Sequence, residues 1–252
     1  MSLDRFKKGN HKILQTDVQR FFDSKVSSGG KFPSNLQKSN KLSSDRDINE
    51  YNRVINDLIS LNNKQSKNIK VLDLGCGVGR LARYFKESKF YLGLDFSNES
   101  INIAKKSFKE SSNIHFKKKI IPKGLDSIIT KYTKEFNIIL VSGLLLYMND
   151  KIINDLFDAL LKLASNNCLI YFREPVSLAR ERLTLNNHFS KDLNTRYSAI
   201  YRTTDEYHLF YDKLVKNNFY CYKAGELLTA KLKNREETTQ YFWIYNRVLT
   251  DE

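Results

Sequence analysis

Apolar residues along this chain occur in two kinds of stretch. Short, near-continuous apolar runs occupy 69–74 (Ile-Lys-Val-Leu-Asp-Leu), 90–94 (Phe-Tyr-Leu-Gly-Leu), 113–117, 135–141 (Glu-Phe-Asn-Ile-Ile-Leu-Val) and 168–172 (Cys-Leu-Ile-Tyr-Phe). Runs this short and this apolar suit strands buried on both faces of a sheet. Elsewhere the apolar positions recur at the 3.6-residue period of a helix. Residues 12–25 carry Ile13, Leu14, Val18, Phe21 and Phe22, and 45–61 carry Ile48, Tyr51, Val54, Ile55, Leu58 and Ile59. Ser97 is a good N-cap for a helix to about Glu110, and 150–164 repeats Ile152, Ile153, Leu156, Leu160 and Leu163. A last helix is expected over 205–216, and 219–227 and 240–249 read as strands. Strands alternating with helices predict an α/β fold with a doubly wound, mostly parallel sheet.

The first run ends in Gly75-Cys76-Gly77-Val78-Gly79-Arg80, after which Leu81, Ala82, Tyr84 and Phe85 resume helical spacing. This predicts strand, glycine turn, helix. Such a turn lets a ligand approach main-chain N–H groups without a Cβ in the way. The second run closes on Asp95, about the 20-residue separation at which an acid can bond both hydroxyls of a ribose. A dinucleotide site would read G-x-G-x-x-G. Here the third glycine comes one residue early, Arg80 takes the expected glycine's place, and Asp73 precedes the turn.

With Val71-Leu72-Asp73-Leu74-Gly75-Cys76-Gly77 and Asp95, the chain resembles the S-adenosylmethionine-dependent methyltransferases of the Rossmann-like type. The resemblance implies a seven-stranded sheet closed by a terminal antiparallel hairpin, with S-adenosyl-L-methionine as cofactor. It assigns the cofactor to Asp73, Gly75, Cys76, Gly77, Gly79, Asp95, Phe96, Ser142 and Gly143. Residues 1–68 then form a helical N-terminal lid, with Tyr51 and Arg53 near the methionine end of the ligand. Residues 69–252 form the core domain. The family commonly sets an acid or amide after the third strand against the adenine; here Lys118-Lys119-Ile120-Ile121-Pro122 stands there.

Composition narrows the setting. No apolar run approaches the roughly 20 residues of a membrane span. The N-terminus lacks a secretory apolar core, and the three cysteines are scattered, suggesting neither disulfides nor a metal site. A cytoplasmic protein is expected. The net charge of +14 admits an anionic partner, yet the lysines are spread, with Lys117-Lys118-Lys119 the one tight run. A small-molecule substrate, an anionic one included, is favoured over nucleic acid.

The segment at about 174–204 exceeds what a minimal fold needs and predicts the substrate-recognition element, with Arg173, Tyr197, Tyr201 and Arg202 as binding residues. Glu174, at a strand end, leads the general-base candidates, with His188 and Asp192 behind it; Tyr147 is expected in the acceptor pocket. The base-amino methylation tetrad, the Pro-Cys nucleophile and a magnesium-binding acid cluster are all missing. The expectation is O- or N-methylation of a small polar molecule, with a sugar or surface-polysaccharide precursor as the subfamily reading. An RNA methyltransferase and a non-catalytic cofactor-binding regulator stand as alternatives.

Overall fold

The five apolar runs lie side by side in one sheet. The computed structural model describes residues 5–27, 40–65, 68–190, 194–233 and 235–248. The chain opens with a two-residue strand β1 (Lys7–Lys8), helix α1 (Gln15–Ser27) and helix α2 (Asn40–Glu50). A single π-turn, Tyr51–Ile55, joins α2 to α3 (Asn56–Gln65). The core follows as β2 (Lys70–Leu74), β3 (Phe90–Asp95), α4 (Asn98–Ser107), β4 (Ile114–Lys118), α5 (Asp126–Tyr132), β5 (Phe136–Ser142), α6 (Asp150–Leu163) and β6 (Ala164–Ser177). It ends with β7 (Leu183–Ser190), β8 (Thr195–Tyr201), α7 (Thr204–Val215), β9 (Tyr220–Glu226) and β10 (Thr238–Val248).

The large sheet has the order β4-β3-β2-β5-β6-β10-β9. Pairs are parallel from β4 through β6, whereas β10 runs antiparallel to both β6 and β9. The terminal hairpin expected from the resemblance is therefore present. Side chains alternate faces along each strand. Leu72, Leu94, Val141, Ile170 and Trp243 turn to the face covered by α5, α6 and α7. Val71, Tyr91, Leu140, Tyr171 and Ile244 turn to the other, where Val54, Ile55 and Leu58 pack as deeply as the residues of α4. The α3 end of the N-terminal segment is thus one layer of this core. The N-cap expected at Ser97 is present, its side chain accepting the Ser100 N–H, and α7 opens on a capping box of Thr203 and Glu206.

Three expectations change. The helix expected after Gly79 is a run of turns ending in one 3-10 turn, Ala82–Phe85. Four apolar residues there suffice to plug the core but not to propagate a helix. The fifth strand does not stop at Phe172 but continues to Ser177 because β10 pairs with it throughout, so Arg173, Glu174 and Pro175 are strand residues. The extra segment begins after them as an antiparallel hairpin, β7–β8, which β1 extends to a separate three-stranded sheet. No helix among the described residues is long and apolar enough to cross a membrane.

Gly93, inside β3 opposite Asp73, shows how tightly the layer beneath the glycine turn is filled. A Cβ there would lie 2.6 Å from Phe116 Cδ1 and 2.9 Å from Cys76 Sγ. Phe116 cannot retreat, since it also packs on Phe108 and Tyr91. Gly93→Ala is expected to destabilise the fold by about 1–3 kcal/mol, the usual cost of overpacking, read as a lower urea midpoint.

Candidate functional site

In an open α/β sheet, strand order reverses where a ligand can settle against the strand ends. Here the reversal lies between β2, whose chain crosses to β3 on one side, and its other neighbour β5. A cavity of about 380 Å³ opens there. Gly75, Gly77 and Gly79 hold φ of +73°, +52° and +79°, which residues with a Cβ avoid. The N–H groups of Gly75 and Cys76 both donate to Leu94 O, at 2.8 and 3.1 Å, tying the turn to β3. At Gly77 a Cβ would meet nothing within 4 Å: the turn leaves open space at the cavity wall.

Asp95 lies at that wall, with one carboxylate oxygen accepting the Gly77 N–H and the other the Ser97 N–H, each at 2.9 Å. Burial raises its pKa, and backbone N–H bonds from Ser97, Gly77 and Phe96 oppose the rise. Each oxygen keeps a lone pair for a further donor. Asp73 is also buried at the wall, pushed up to about 7 by burial despite the Tyr91 hydroxyl it accepts. Phe96, Ser142 and Gly143 complete this end, together with Lys119, Ile120 and Ile121 in the place the family gives to an acid. Gly79 does not reach the cavity: its Cα faces Phe116 and Phe108, so its role is packing.

The N-terminal helices meet the cavity through residues other than those expected. Tyr51 stacks on Tyr84 at 4.8 Å and Arg53 is exposed, so neither lines it. Gln15, Val18, Gln19 and Phe22 of α1 and Arg46 and Asp47 of α2 do. The α2 helix is pinned by Glu50, which bonds Arg80 at 2.6 Å, accepts the Tyr171 hydroxyl at 2.8 Å and lies 3.6 Å from Arg173. Burial alone would raise Glu50; Arg80 and Arg173 overcome it and hold the carboxyl at about 2. Arg80, which displaces a glycine of the dinucleotide pattern, was the one sequence signal of this contact. Glu50 and Asp47 look like ordinary helix-surface acids until the fold sets them over Arg80.

At the other end Arg173, Tyr147, Tyr197 and Tyr201 line the cavity, and the last two join hydroxyl to hydroxyl. Three expected residues are not there. Glu174 is fully buried beneath the cavity. Its carboxylate accepts the N–H groups of Leu144 and Leu145 at 2.9 Å and of Leu146 at 3.2 Å. It is a clamp on the turn after β5, out of reach of an acceptor. Arg202 is also fully buried, bonding Asp150 and the carbonyls of Leu145 and Met148. It braces the same turn from behind. His188 sits in the β7–β8 ladder opposite Tyr197, away from the cavity. Asp192 lies outside the described residues. For Glu174 the reason is the strand itself: it follows Arg173 along β6, and an alternating strand sends the two to opposite faces, which a reading of this stretch as a rim does not anticipate.

A Rossmann-like sheet with a glycine turn and an acid at its switch point defines a nucleotide-cofactor protein. A family model described as a methyltransferase domain matches residues 65–225, and the chain belongs to that family. No curated protein matches it. Among solved structures it is similar to magnesium protoporphyrin IX methyltransferase (ChlM) from Synechocystis PCC 6803 with bound SAM. The identity is 14%, with 95% of this chain and 100% of that chain covered and a TM-score of 0.59. The N-methyltransferase NodS from Bradyrhizobium japonicum WM9, in complex with S-adenosyl-l-homocysteine, gives 13%, 92%, 98% and 0.55 in the same order. A putative S-adenosylmethionine-dependent methyltransferase from Listeria monocytogenes gives 20%, 71%, 92% and 0.56. At such identities the likeness is one of fold. The protein is a class I S-adenosylmethionine-dependent methyltransferase. The open cradle at Gly77 and the lone pairs left on Asp95 fit that cofactor.

Proposed function

We propose that this enzyme methylates an oxygen or nitrogen of a small molecule held between the cofactor end of the cavity and its tyrosine end. The observation that carries the reading is the position of Phe22. Its ring meets Phe96 at 5.4 Å and Tyr147 at 5.1 Å, so one residue of α1 touches both ends. Helices α1 and α2 then act as a lid that excludes water from the reacting atoms, and the substrate must fit beneath it. A polymer would not.

Bound S-adenosylmethionine supplies a methyl group on a positive sulfonium, open to in-line displacement. The chain contributes position. Asp95 would take the ribose hydroxyls, the turn from Gly75 to Gly77 would flank the ligand, and Asp73 would face the amino-acid end, where an ammonium suits a carboxylate. Burial raises the pKa of Tyr147, Tyr197 and Tyr201 above the ordinary phenol range. They stay protonated at neutral pH and orient an acceptor without taking its proton. With Glu174 and His188 off the cavity, the acceptor proton passes to water, which suits an amine present as free base or a readily ionised hydroxyl.

Calorimetric titration with S-adenosylhomocysteine tests this. Binding of one ligand per chain is expected, tighter as pH rises through about 7, because the ligand ammonium favours ionised Asp73 and the free protein holds that carboxyl half protonated there. A flat profile would remove Asp73 from the site, and no binding would end the reading. Strongly salt-dependent binding of transfer RNA would instead favour a nucleic-acid substrate.

A further inference from the structure

Among the cations lining the cavity, most are already committed. Arg80 is paired with Asp47 and Glu50, Lys233 with Glu226, Lys119 bonds Ser127, and Arg46 bonds Leu232 O. Two others are held loosely. Arg235, in the connection that leads into β10, comes only within 4.0 Å of Glu237, and that carboxylate is already engaged by Arg5. Arg173 lies 3.6 Å from a Glu50 saturated by Arg80 and Tyr171, and its Nε has no hydrogen-bond partner among the described residues. Both guanidinium groups belong to the tyrosine end. Burial raises the pKa of Tyr147, Tyr197 and Tyr201, and the charge of Arg235 pulls each of them back.

One wall of that end is apolar and ring-lined. Phe22 and Tyr147 stand edge to face, and Val18, Leu146 and Met148 fill beside them. Among the polar groups there, Tyr197 bonds Tyr201 and the Gln15 amide donates to Tyr147 O, while Thr239 Oγ1 and Gln240 Oε1 on β10 have no partner among the described residues. A sugar would set hydroxyls against the rings of Phe22 and Tyr147 and the side chains of Val18, Leu146 and Met148, at a desolvation cost. A flat ring would stack or meet edge to face at no such cost. Arg235 and Arg173, both loosely held on the lining of this cavity, offer a carboxylate the fork geometry that suits it.

Resting on the methyltransferase reading of this cavity, we propose that the acceptor is a small aromatic carboxylate, its ring against Phe22 and Tyr147 and its carboxylate held by Arg235 with Arg173 beside it. The methyl group then goes to a hydroxyl or amine carried elsewhere on the ring. The acceptor lone pair forms the new bond to carbon, the carbon–sulfur bond breaks with its electron pair staying on sulfur, and the acceptor proton leaves to water.

The test uses the full chain saturated with S-adenosylhomocysteine. The probes are 4-hydroxybenzoate, 3,4-dihydroxybenzoate, 4-aminobenzoate and 4-hydroxycinnamate, each titrated against its own primary amide. At least one acid is expected to bind tenfold or more tightly than its amide. Arg235→Met should abolish that preference, Arg235→Lys should keep part of it, and both should bind S-adenosylhomocysteine as the parent does, which also shows that they fold. Equal binding of acid and amide, no binding by any acid, or a preference that survives Arg235→Met would overturn the proposal. If S-adenosylhomocysteine itself fails to bind the parent chain, the methyltransferase reading falls first, and the two failures are thereby told apart.

Discussion

Replacing Asp95 by alanine is expected to weaken S-adenosylhomocysteine binding about a hundredfold, or about 3 kcal/mol, since two charge-assisted hydrogen bonds to a ribose are lost together. The same carboxylate holds the glycine turn through the Gly77 N–H and opens α4 through the Ser97 N–H. Stability should therefore fall too, by about 1–2 kcal/mol, because both donors lose their acceptor. Asp95→Asn separates the two effects. An amide offers only one acceptor oxygen, so it can serve one of the two N–H groups, and a ribose hydroxyl would meet a donor where it now meets an acceptor. Binding should remain close to the alanine value while part of the stability returns. Unchanged affinity in Asp95→Ala, measured by calorimetry, would show that the sugar is held elsewhere.

The second large effect is expected from Glu174. Alanine there leaves three buried N–H groups, of Leu144, Leu145 and Leu146, without an acceptor. A loss of roughly 3 kcal/mol or more in unfolding free energy follows, a fall in melting temperature of about 6–12 °C for a chain of this size. The pH dependence has a definite sign. Burial raises the carboxyl from 4.5 to about 7, against the pull of the three backbone bonds. A carboxyl whose folded pKa is raised binds more protons folded than unfolded. Its contribution is therefore full below about 4.5 and is lost as pH climbs to about 7. Glu174→Gln cannot ionise. It should be less stable than the parent on the acid side, where its amide N–H opposes the Leu146 N–H, and the deficit should shrink above pH 7. Urea midpoints on both sides of that window would decide it. A constant deficit would mean that Glu174 keeps one charge state throughout.

Both predictions concern carboxylates just past apolar runs, and the sequence treated them unequally. Asp95 could be named because its role is set locally, by an acid closing the strand after a glycine turn, and the fold brought it where the spacing required. Glu174 is expected as a base at the rim, and the structure places its carboxylate among three backbone N–H groups instead. At the end of an apolar run, with proline after it, it reads as a rim residue. Its strand is prolonged only because β10 pairs with it as far as Ser177. Arg202, just past β8 in a stretch rich in arginine and tyrosine, looks like recognition surface, yet it closes on Asp150 and two carbonyls of the turn after β5.

What the chain determined by itself is whatever depends on neighbours a few positions away. This covers the buried strands, the helix start at Ser97, the glycine turn and the acid that follows it. Those features come from backbone sterics and hydrophobic periodicity, both short-range. Only the tertiary structure decided which charged residues face the cavity. Asp47 and Glu50 reach Arg80 across 33 and 30 residues, and Arg235 lines the same cavity as tyrosines from two other elements. Burial and charge pairing are set by what packs on the far side of a residue, and no periodicity in the sequence reports that.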